Sequence, residues 1–163
     1  MTRDPTHRPS STHPTNVLDR LARLAAPLLS ARAVQFVALL GLCAAYLQGG
    51  LTKLADFDAA VAETRSFGVP FATAAAAATI ATELGGSALV LTGIQRWIGA
   101  LWLAGFTLIA TFLANAFWNV QPPQRFMVEN AFFEHLGLVG GFLFVAWFDV
   151  RAIRDSSLRR THR

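Results

Sequence analysis

The sequence predicts an all-α integral membrane protein, a four-helix up-down-up-down bundle with an N-terminal interfacial amphipathic helix. Only 15% of its 163 residues are charged, well below the roughly 25% that is typical of a soluble domain. The charges are grouped so that four long apolar blocks remain nearly bare. Each block exceeds the about 18 residues that a helix needs to cross the hydrocarbon core, and lipid leaves helices as the sensible spanning form here.

The chain before the first apolar block divides into two parts. Residues 1–15 are rich in Thr, Ser, Pro and His and have no apolar face, so we expect a disordered tail. Residues 16–31 carry apolar side chains on one helical face and charges elsewhere, which is typical of a helix lying on the cytoplasmic leaflet. No signal peptide is recognisable at the start, so the first span is expected to be an uncleaved anchor.

The transmembrane domain is predicted to cover residues 32–150, followed by a basic cytoplasmic tail at 151–163. The connections after the second and third spans are short, and short loops favour antiparallel neighbours. Small residues at four-residue spacing, such as Gly41, Ala45 and Gly49, predict close helix packing. The four spans are predicted at residues 33–54, 71–93, 97–118 and 127–150.

The distribution of basic residues predicts the orientation. Eleven of the 14 lysines and arginines lie before the first span, in the second connection or after the last span. The remaining three are Lys53, Arg65 and Arg125. The positive-inside rule therefore predicts that both termini are cytoplasmic. The net charge of +4 is attributed to topology and anionic lipid head groups, and no nucleic-acid partner is expected.

Two classes of redox chemistry are excluded by residue counts. Cys43 is the single cysteine, so dithiol catalysis is excluded, and we expect Cys43 to be a small packing residue. His135 is the one histidine within the spans. The sequence therefore predicts no metal site and no haem held by paired histidines of one chain.

The polar side chains of the spans are predicted to share one half of the membrane. An ionisable group at the bilayer centre costs roughly 2.5–3.5 kcal/mol on insertion scales, so such groups need partners or a wet cavity. We therefore predict a polar pocket that opens outward. Its candidate residues are Gln48, Lys53, Glu83, Asn115, Asn119, Asn130, Glu134 and His135.

The spacing within the fourth span indicates which residues face the bundle. Asn130 and Glu134 are four residues apart, and Gly137 and Gly141 continue the same face, so Glu134 is expected to face inward. His135 lies about 100° around the helix and either flanks the cavity or faces the head groups. Alternatively, these polar residues are buried pairs that only fix the register of the helices.

A protonatable Glu and His beside an apolar interior suit a quinone head group. They offer hydrogen bonds for two carbonyls and proton exchange with the outer aqueous side, while hydrocarbon surrounds the tail. A proton-coupled transporter would use much the same residues.

Four motifs, in this order and spacing, give residues 33–150 a resemblance to the DoxX family of small four-helix membrane proteins. They are G-G-L-T-K-L (49–54), F-G-V-P (67–70), E-L-G-G-S-A-L-V-L-T-G (83–93) and H-L-G-L-V-G-G (135–141). The resemblance implies a multi-pass protein of the bacterial inner (cytoplasmic) membrane. Some relatives are subunits of quinone-linked oxidoreductases, and most have no established activity.

The resemblance points to Lys53, Glu83 and the pair Glu134–His135 as the site. Lys53 is expected to hold an anionic group or to pair with Glu134, and Glu83 to be a buried proton acceptor or a helix-linking acid. The two asparagines at the end of the third span are expected to orient the ligand.

The leading interpretation is an accessory or quinone-interacting subunit of a membrane-associated oxidoreductase system. Its candidate cofactor is a membrane quinone, and its candidate partners are the lipid bilayer, a soluble or membrane redox protein and a second copy of the chain. Two alternatives stay open. One is a small transporter in which Glu83 and His135 relay protons, and the other is a membrane anchor that recruits a soluble partner through its arginine-rich termini.

Overall fold

The computed structural model describes residues 17–161, which form helices and no β-strand. The predicted disordered tail, residues 1–15, and the last two residues of the basic tail lie outside the described residues. A boundary between two compact units falls after Gln35. The helices are α1 (Val17–Leu29), α2 (Arg32–Ala55), α3 (Phe57–Ser66), α4 (Ala72–Thr92), α5 (Arg96–Ala114) and α6 (Arg125–Thr161), with a 3-10 turn at Phe117–Asn119.

Four of these helices are long and apolar enough to cross a membrane: α2, α4, α5 with the turn that follows it, and α6. The predicted all-α bundle with four spans is therefore confirmed. The largest difference in bounds is at the end of α6, which continues to Thr161, whereas the span was predicted to end at residue 150. The described part of the basic tail is thus a continuation of the last spanning helix.

The first helix, α1, covers most of the segment that was expected to be amphipathic. Leu21, Leu24 and Leu28 are exposed and lie on one face at helical spacing. Arg23 Nε donates to the backbone oxygen of Asp19 at 3.2 Å. The location of α1 on a membrane surface stays a prediction.

The spanning helices are joined by contacts across the interior of the bundle. The helix α5 packs against both α4 and α6. On α2, Tyr46 makes a hydrogen bond to Thr107 of α5 and an edge-on ring contact with Phe142 of α6, with centroids 5.4 Å apart. Gly50 of α2 lies against Leu84 of α4. These contacts bring all four spans together around Tyr46 and its neighbours.

Close approach of α4 and α5 depends on glycine. A Cβ atom on Gly99 would lie 2.9 Å from the backbone oxygen of Gly86 and 2.7 Å from Leu89 Cβ. A Cβ on Gly86 would in turn lie 2.8 Å from Leu103 Cδ2. Lipid offers little hydrophobic drive between helices, so this backbone proximity is a main source of packing energy.

The main buried cluster combines small and aromatic side chains. Cys43 is fully buried in it, as expected of a packing residue. Several of the residues that touch at the centre are small, which lets the helices approach closely there. The cluster consists of Cys43, Tyr46, Val90, Ala100, Leu103, Ala104, Phe142 and Ala146.

The helix α3 lies in the connection between the first two predicted spans, where no helix was predicted. Asp56 caps it by accepting a hydrogen bond from the backbone nitrogen of Ala59 at 3.0 Å, and Arg65 complements the helix dipole in the last turn. A small separate cluster, to which Val61 and Ala76 belong, holds α3 against α4. At 10 residues, α3 is too short to give a hydropathy signal of its own.

Candidate functional site

A cavity of about 350 Å³ lies between α2, α3, α4, α5 and α6. It is at the end of the bundle where α2 ends and α4 begins. Much of its wall is apolar, with Phe67, Phe106, Ile109, Leu113 and Leu138 among the lining residues. The polar side chains that line it come from all five helices. Three polar groups, described below, each join two of these helices.

The first polar group is an ion pair between α2 and α4. Lys53 Nζ donates to Glu83 Oε1 at 3.2 Å and to Oε2 at 3.4 Å. The Glu83 side chain is 9% exposed and that of Lys53 is 25% exposed. Helical side chains lean toward the N-terminus of their helix, so the ammonium of Lys53 reaches back along α2 to the level of Gly49. A Cβ on Gly49 would lie 3.2 Å from Lys53 Nζ, so glycine leaves room for the pair.

The second polar group is the ring of His135 on α6. Its Nδ1 lies 2.8 Å from the backbone oxygen of Ala131 and 2.8 Å from the side-chain amide of Asn115. Asn115 is the C-cap residue of α5, so its side chain is held at the end of that helix and beside α6. His135 is therefore fixed by its own helix and by α5 together.

The third polar group is the buried hydrogen bond between Tyr46 and Thr107. Thr107 also donates to the backbone oxygen of Leu103 at 2.6 Å. Both residues line the cavity and both are almost fully buried. This bond therefore joins α2 to α5 at the deep end of the cavity.

The structure brings together four of the residues predicted from the sequence. Lys53, Glu83 and His135 line the cavity, and Asn115 reaches it through its bond to His135. The other four, Gln48, Asn119, Asn130 and Glu134, are exposed. Gln48 donates to Thr52 on its own helix at 3.1 Å.

The prediction that Glu134 faces the interior of the bundle is wrong. The buried side of α6 is marked by Phe132, Phe142 and Ala146, which lie within about 60° of His135 around the helix. Glu134 lies about 100° away from His135 and outside that face. Lys53 accordingly pairs with Glu83 and not with Glu134. The error arose because Gly137 was taken to lie on the inward face, whereas a Cβ there would meet nothing within 4 Å.

Sequence reasoning missed several lining residues. Glu63 and Thr64 come from α3, which was not predicted, and the capping Asp56 was the signal that could have identified that helix. Tyr46 and Thr107 lie in apolar blocks where a single hydroxyl carries no sequence signal. Within residues 17–161, no group of three or more His, Cys, Asp or Glu side chains is placed to hold a metal ion.

The opposite end of the bundle holds a different polar contact. Asp149 Oδ2 of α6 accepts a hydrogen bond from the backbone nitrogen of Trp97 at 3.2 Å, and Asp149 Oδ1 lies 4.0 Å from Arg96 Nη1. Arg96 Nε donates to the backbone oxygen of Val90 at 2.9 Å. These bonds satisfy the ends of α4 and α5, which gives them a structural explanation.

Comparison with known families gives a match over about half of the chain. The family model described as DoxX matches residues 34–116, which run from the start of α2 to the end of α5. The match includes Lys53, Glu83 and Asn115, while His135 lies beyond it. A search of curated proteins and a search of solved structures each gave no match to the chain.

Proposed function

The chain belongs to the DoxX family of membrane proteins, and from this premise and the cavity we propose that it binds a membrane quinone. In this proposal it acts as an accessory subunit of a membrane-associated oxidoreductase system. The observation that carries the proposal is the convergence of the Lys53–Glu83 pair and His135 on one cavity with largely apolar walls.

The residues present fit a quinone head group. At about 350 Å³ the cavity is at the lower end of the roughly 300–1,000 Å³ that small-molecule sites occupy. Phe106 and Leu138 supply apolar wall for an aromatic ring. Lys53 supplies a donor for a ring carbonyl, and Glu83 and His135 supply polar groups for the ring hydroxyls of the reduced form. A bound quinone supplies two-electron redox chemistry, and the chain supplies binding, orientation and exclusion of water.

The wall of the cavity supports entry from the lipid. Ile109 is 71% exposed and Leu113 is 47% exposed, and both also line the cavity. These side chains belong to the outer surface of a spanning helix, where hydrocarbon is the natural solvent. A ligand with a long apolar tail can therefore place its head group in the cavity while its tail stays in lipid.

The interior beyond the cavity favours binding over transport. Cys43, Val90, Leu103 and Phe142 are all fully buried and belong to the main cluster between the cavity and the opposite end of the bundle. This cluster contains no carboxylate, lysine or histidine among the described residues. A proton relay through Glu83 and His135 would need such groups to continue across the membrane.

The charge distribution supports an orientation for the site. With eleven of the 14 basic residues on the side of the termini, both termini are cytoplasmic and the cavity opens toward the periplasm. The membrane is then the bacterial inner membrane. A redox partner would deliver or remove electrons at the periplasmic end of the bundle.

The test is mass spectrometry of the gently solubilised protein for bound quinone and companion chains. We expect wild-type protein to retain quinone, the Glu83→Gln variant to retain several-fold less, and the Glu134→Gln variant to match wild type. Glu134→Gln makes the same chemical change at an exposed position of α6, so it controls for purification losses. Wild-type protein that carries neither quinone nor a companion chain would overturn the proposal.

A further inference from the structure

At the deep end of the cavity, the hydroxyl hydrogens of Thr107 and Tyr46 are both engaged in hydrogen bonds within the protein. Thr107 Oγ1 lies 2.6 Å from the backbone oxygen of Leu103, and a carbonyl oxygen can only accept, so Thr107 donates its single hydrogen there. In the bond between Thr107 and Tyr46 the donor must therefore be Tyr46. The Tyr46 oxygen then has only lone pairs to offer a ligand.

The same reasoning fixes the tautomer of His135. Its Nδ1 lies 2.8 Å from the backbone oxygen of Ala131, so Nδ1 carries the hydrogen, because two lone pairs at that distance would repel. The side-chain amide of Asn115 must then turn its oxygen, and not its nitrogen, toward Nδ1. The two atoms are alike in size, so the hydrogen-bond network decides between them. In the neutral ring the other nitrogen, Nε2, then carries no hydrogen, and it makes no bond to a described residue.

Most of the remaining polar lining groups also offer lone pairs and no free hydrogen. Thr64 donates its hydrogen to the backbone oxygen of Ala60 at 2.8 Å, and the carboxylates of Glu63 and Glu83 only accept when ionised. Two donors remain among the described lining residues. One is Lys53, whose ammonium has three hydrogens and contacts both oxygens of Glu83, and the other is the hydroxyl of Thr79.

We propose that the cavity prefers a ligand that donates hydrogen bonds, and that the reduced hydroquinone therefore binds more tightly than the oxidised quinone. This inference rests on the proposed function and adds the redox state of the ligand to it. The two hydroxyls of a hydroquinone can donate to His135 Nε2 and to the oxygen of Tyr46 or the carboxylate of Glu83. The two carbonyls of a quinone could pair only with the third hydrogen of Lys53 and the hydroxyl of Thr79, and they would face lone pairs at every other polar lining group. Polar groups left unpaired are costly in a dry site.

The tautomer is tested without any ligand. Nitrogen NMR of the full chain labelled with ¹⁵N-histidine, in detergent micelles at a pH where the ring is neutral, distinguishes a protonated from a bare ring nitrogen. The His135→Gln variant assigns the signals, because the chain has four histidines. We expect a protonated Nδ1 and a bare Nε2 at His135. A protonated Nε2 would overturn the inference.

The ligand preference is tested by equilibrium dialysis against the full chain in nanodiscs, without oxygen and with empty nanodiscs as the partition blank. The probes are 1,4-dihydroxynaphthalene, 1,4-naphthoquinone and 1,4-dimethoxynaphthalene, which has the diol's ring without its donors. We expect the diol to bind at least tenfold more tightly than the other two. The Tyr46→Phe variant should bind the diol about threefold to tenfold more weakly, the usual effect of one lost hydrogen bond, and bind the quinone unchanged.

The outcomes distinguish the preference for hydroquinone from quinone binding itself. Equal or tighter binding of the quinone, or a Tyr46→Phe variant that keeps full affinity for the diol, overturns the preference and leaves quinone binding in place. Failure of all three probes to saturate overturns quinone binding and the preference together. The exposed Glu134→Gln variant should match wild type with every probe.

Discussion

Lys53 on α2 and Glu83 on α4 form an ion pair inside the bundle, with Nζ 3.2 Å from Oε1. The pair lies beside Gly49, where a larger residue would press on it. An ion pair withdrawn from water contributes little net stability, because desolvation offsets attraction, yet removing one partner leaves an uncompensated charge. Removing one partner of the pair should therefore cost more stability than removing both.

The first prediction concerns that difference in stability. Lys53→Met should destabilise the bundle by about 3 kcal/mol, the low end for breaking a buried pair, because the Lys53 side chain is 25% exposed. The double variant Lys53→Met with Glu83→Leu should recover most of that loss, since it removes both charges. Reversible unfolding in mixed detergent micelles measures both values. A double variant no more stable than Lys53→Met alone would contradict this prediction, because the uncompensated charge of Glu83 would then not be the cause of the loss.

The fold was predictable from the sequence because hydropathy over 20 or so residues reports directly on the solvent of a helix. The bundle and its four spans follow from that signal. The helix α3 was not predicted, because it has only ten residues of ordinary polarity. The features that identify it are the Asp56 cap and the burial of Val61. Both features are local, and hydropathy does not register them.

The site was predictable only in part, because composition gives depth in the membrane but not rotation about the helix axis. Lys53, Glu83 and His135 were assigned to one pocket and do line one cavity. Glu134 was assigned to the same pocket and is exposed. Rotation is set by which small residues touch a neighbour, and a Cβ on Gly41 or Gly137 would meet nothing within 4 Å.

The second prediction uses two glycines of α5. Gly99→Ala should destabilise the bundle by about 1–3 kcal/mol, the usual range for overpacking, because the new methyl group would lie 2.9 Å from the backbone oxygen of Gly86. Gly105→Ala is the matched control, since a Cβ there would meet nothing within 4 Å and alanine is the better helix former. Unfolding in mixed micelles checks both. Equal effects at the two positions would show that α4 and α5 are not in backbone contact at Gly99.

The third prediction concerns Asp149 of α6, which caps the start of α5. Asp149→Ala should cost about 1 kcal/mol, as for a lost helix cap, because the backbone nitrogen of Trp97 loses its acceptor. Asp149→Asn should retain most of the stability, since its amide oxygen can still accept, and the contact to Arg96 at 4.0 Å is partly exposed and weak. Hydrogen exchange of the Trp97 amide should accelerate in the alanine variant alone. If asparagine is as damaging as alanine, the charge and not the cap is responsible.

The fourth prediction concerns the orientation of the bundle, which determines where the cavity opens. In a Cys43→Ala background, single cysteines are introduced by Asp58→Cys on α3 and Ser156→Cys at the end of α6, both at exposed positions. A membrane-impermeant maleimide, applied to cells with a permeabilised outer membrane, should label position 58 and reach position 156 only after lysis, because the basic residues favour cytoplasmic termini. The unmodified chain is the control, since Cys43 is 0% exposed and should not react while the protein is folded. Labelling at 156 and not at 58 would place the cavity on the cytoplasmic side and remove the periplasmic opening from the proposed function.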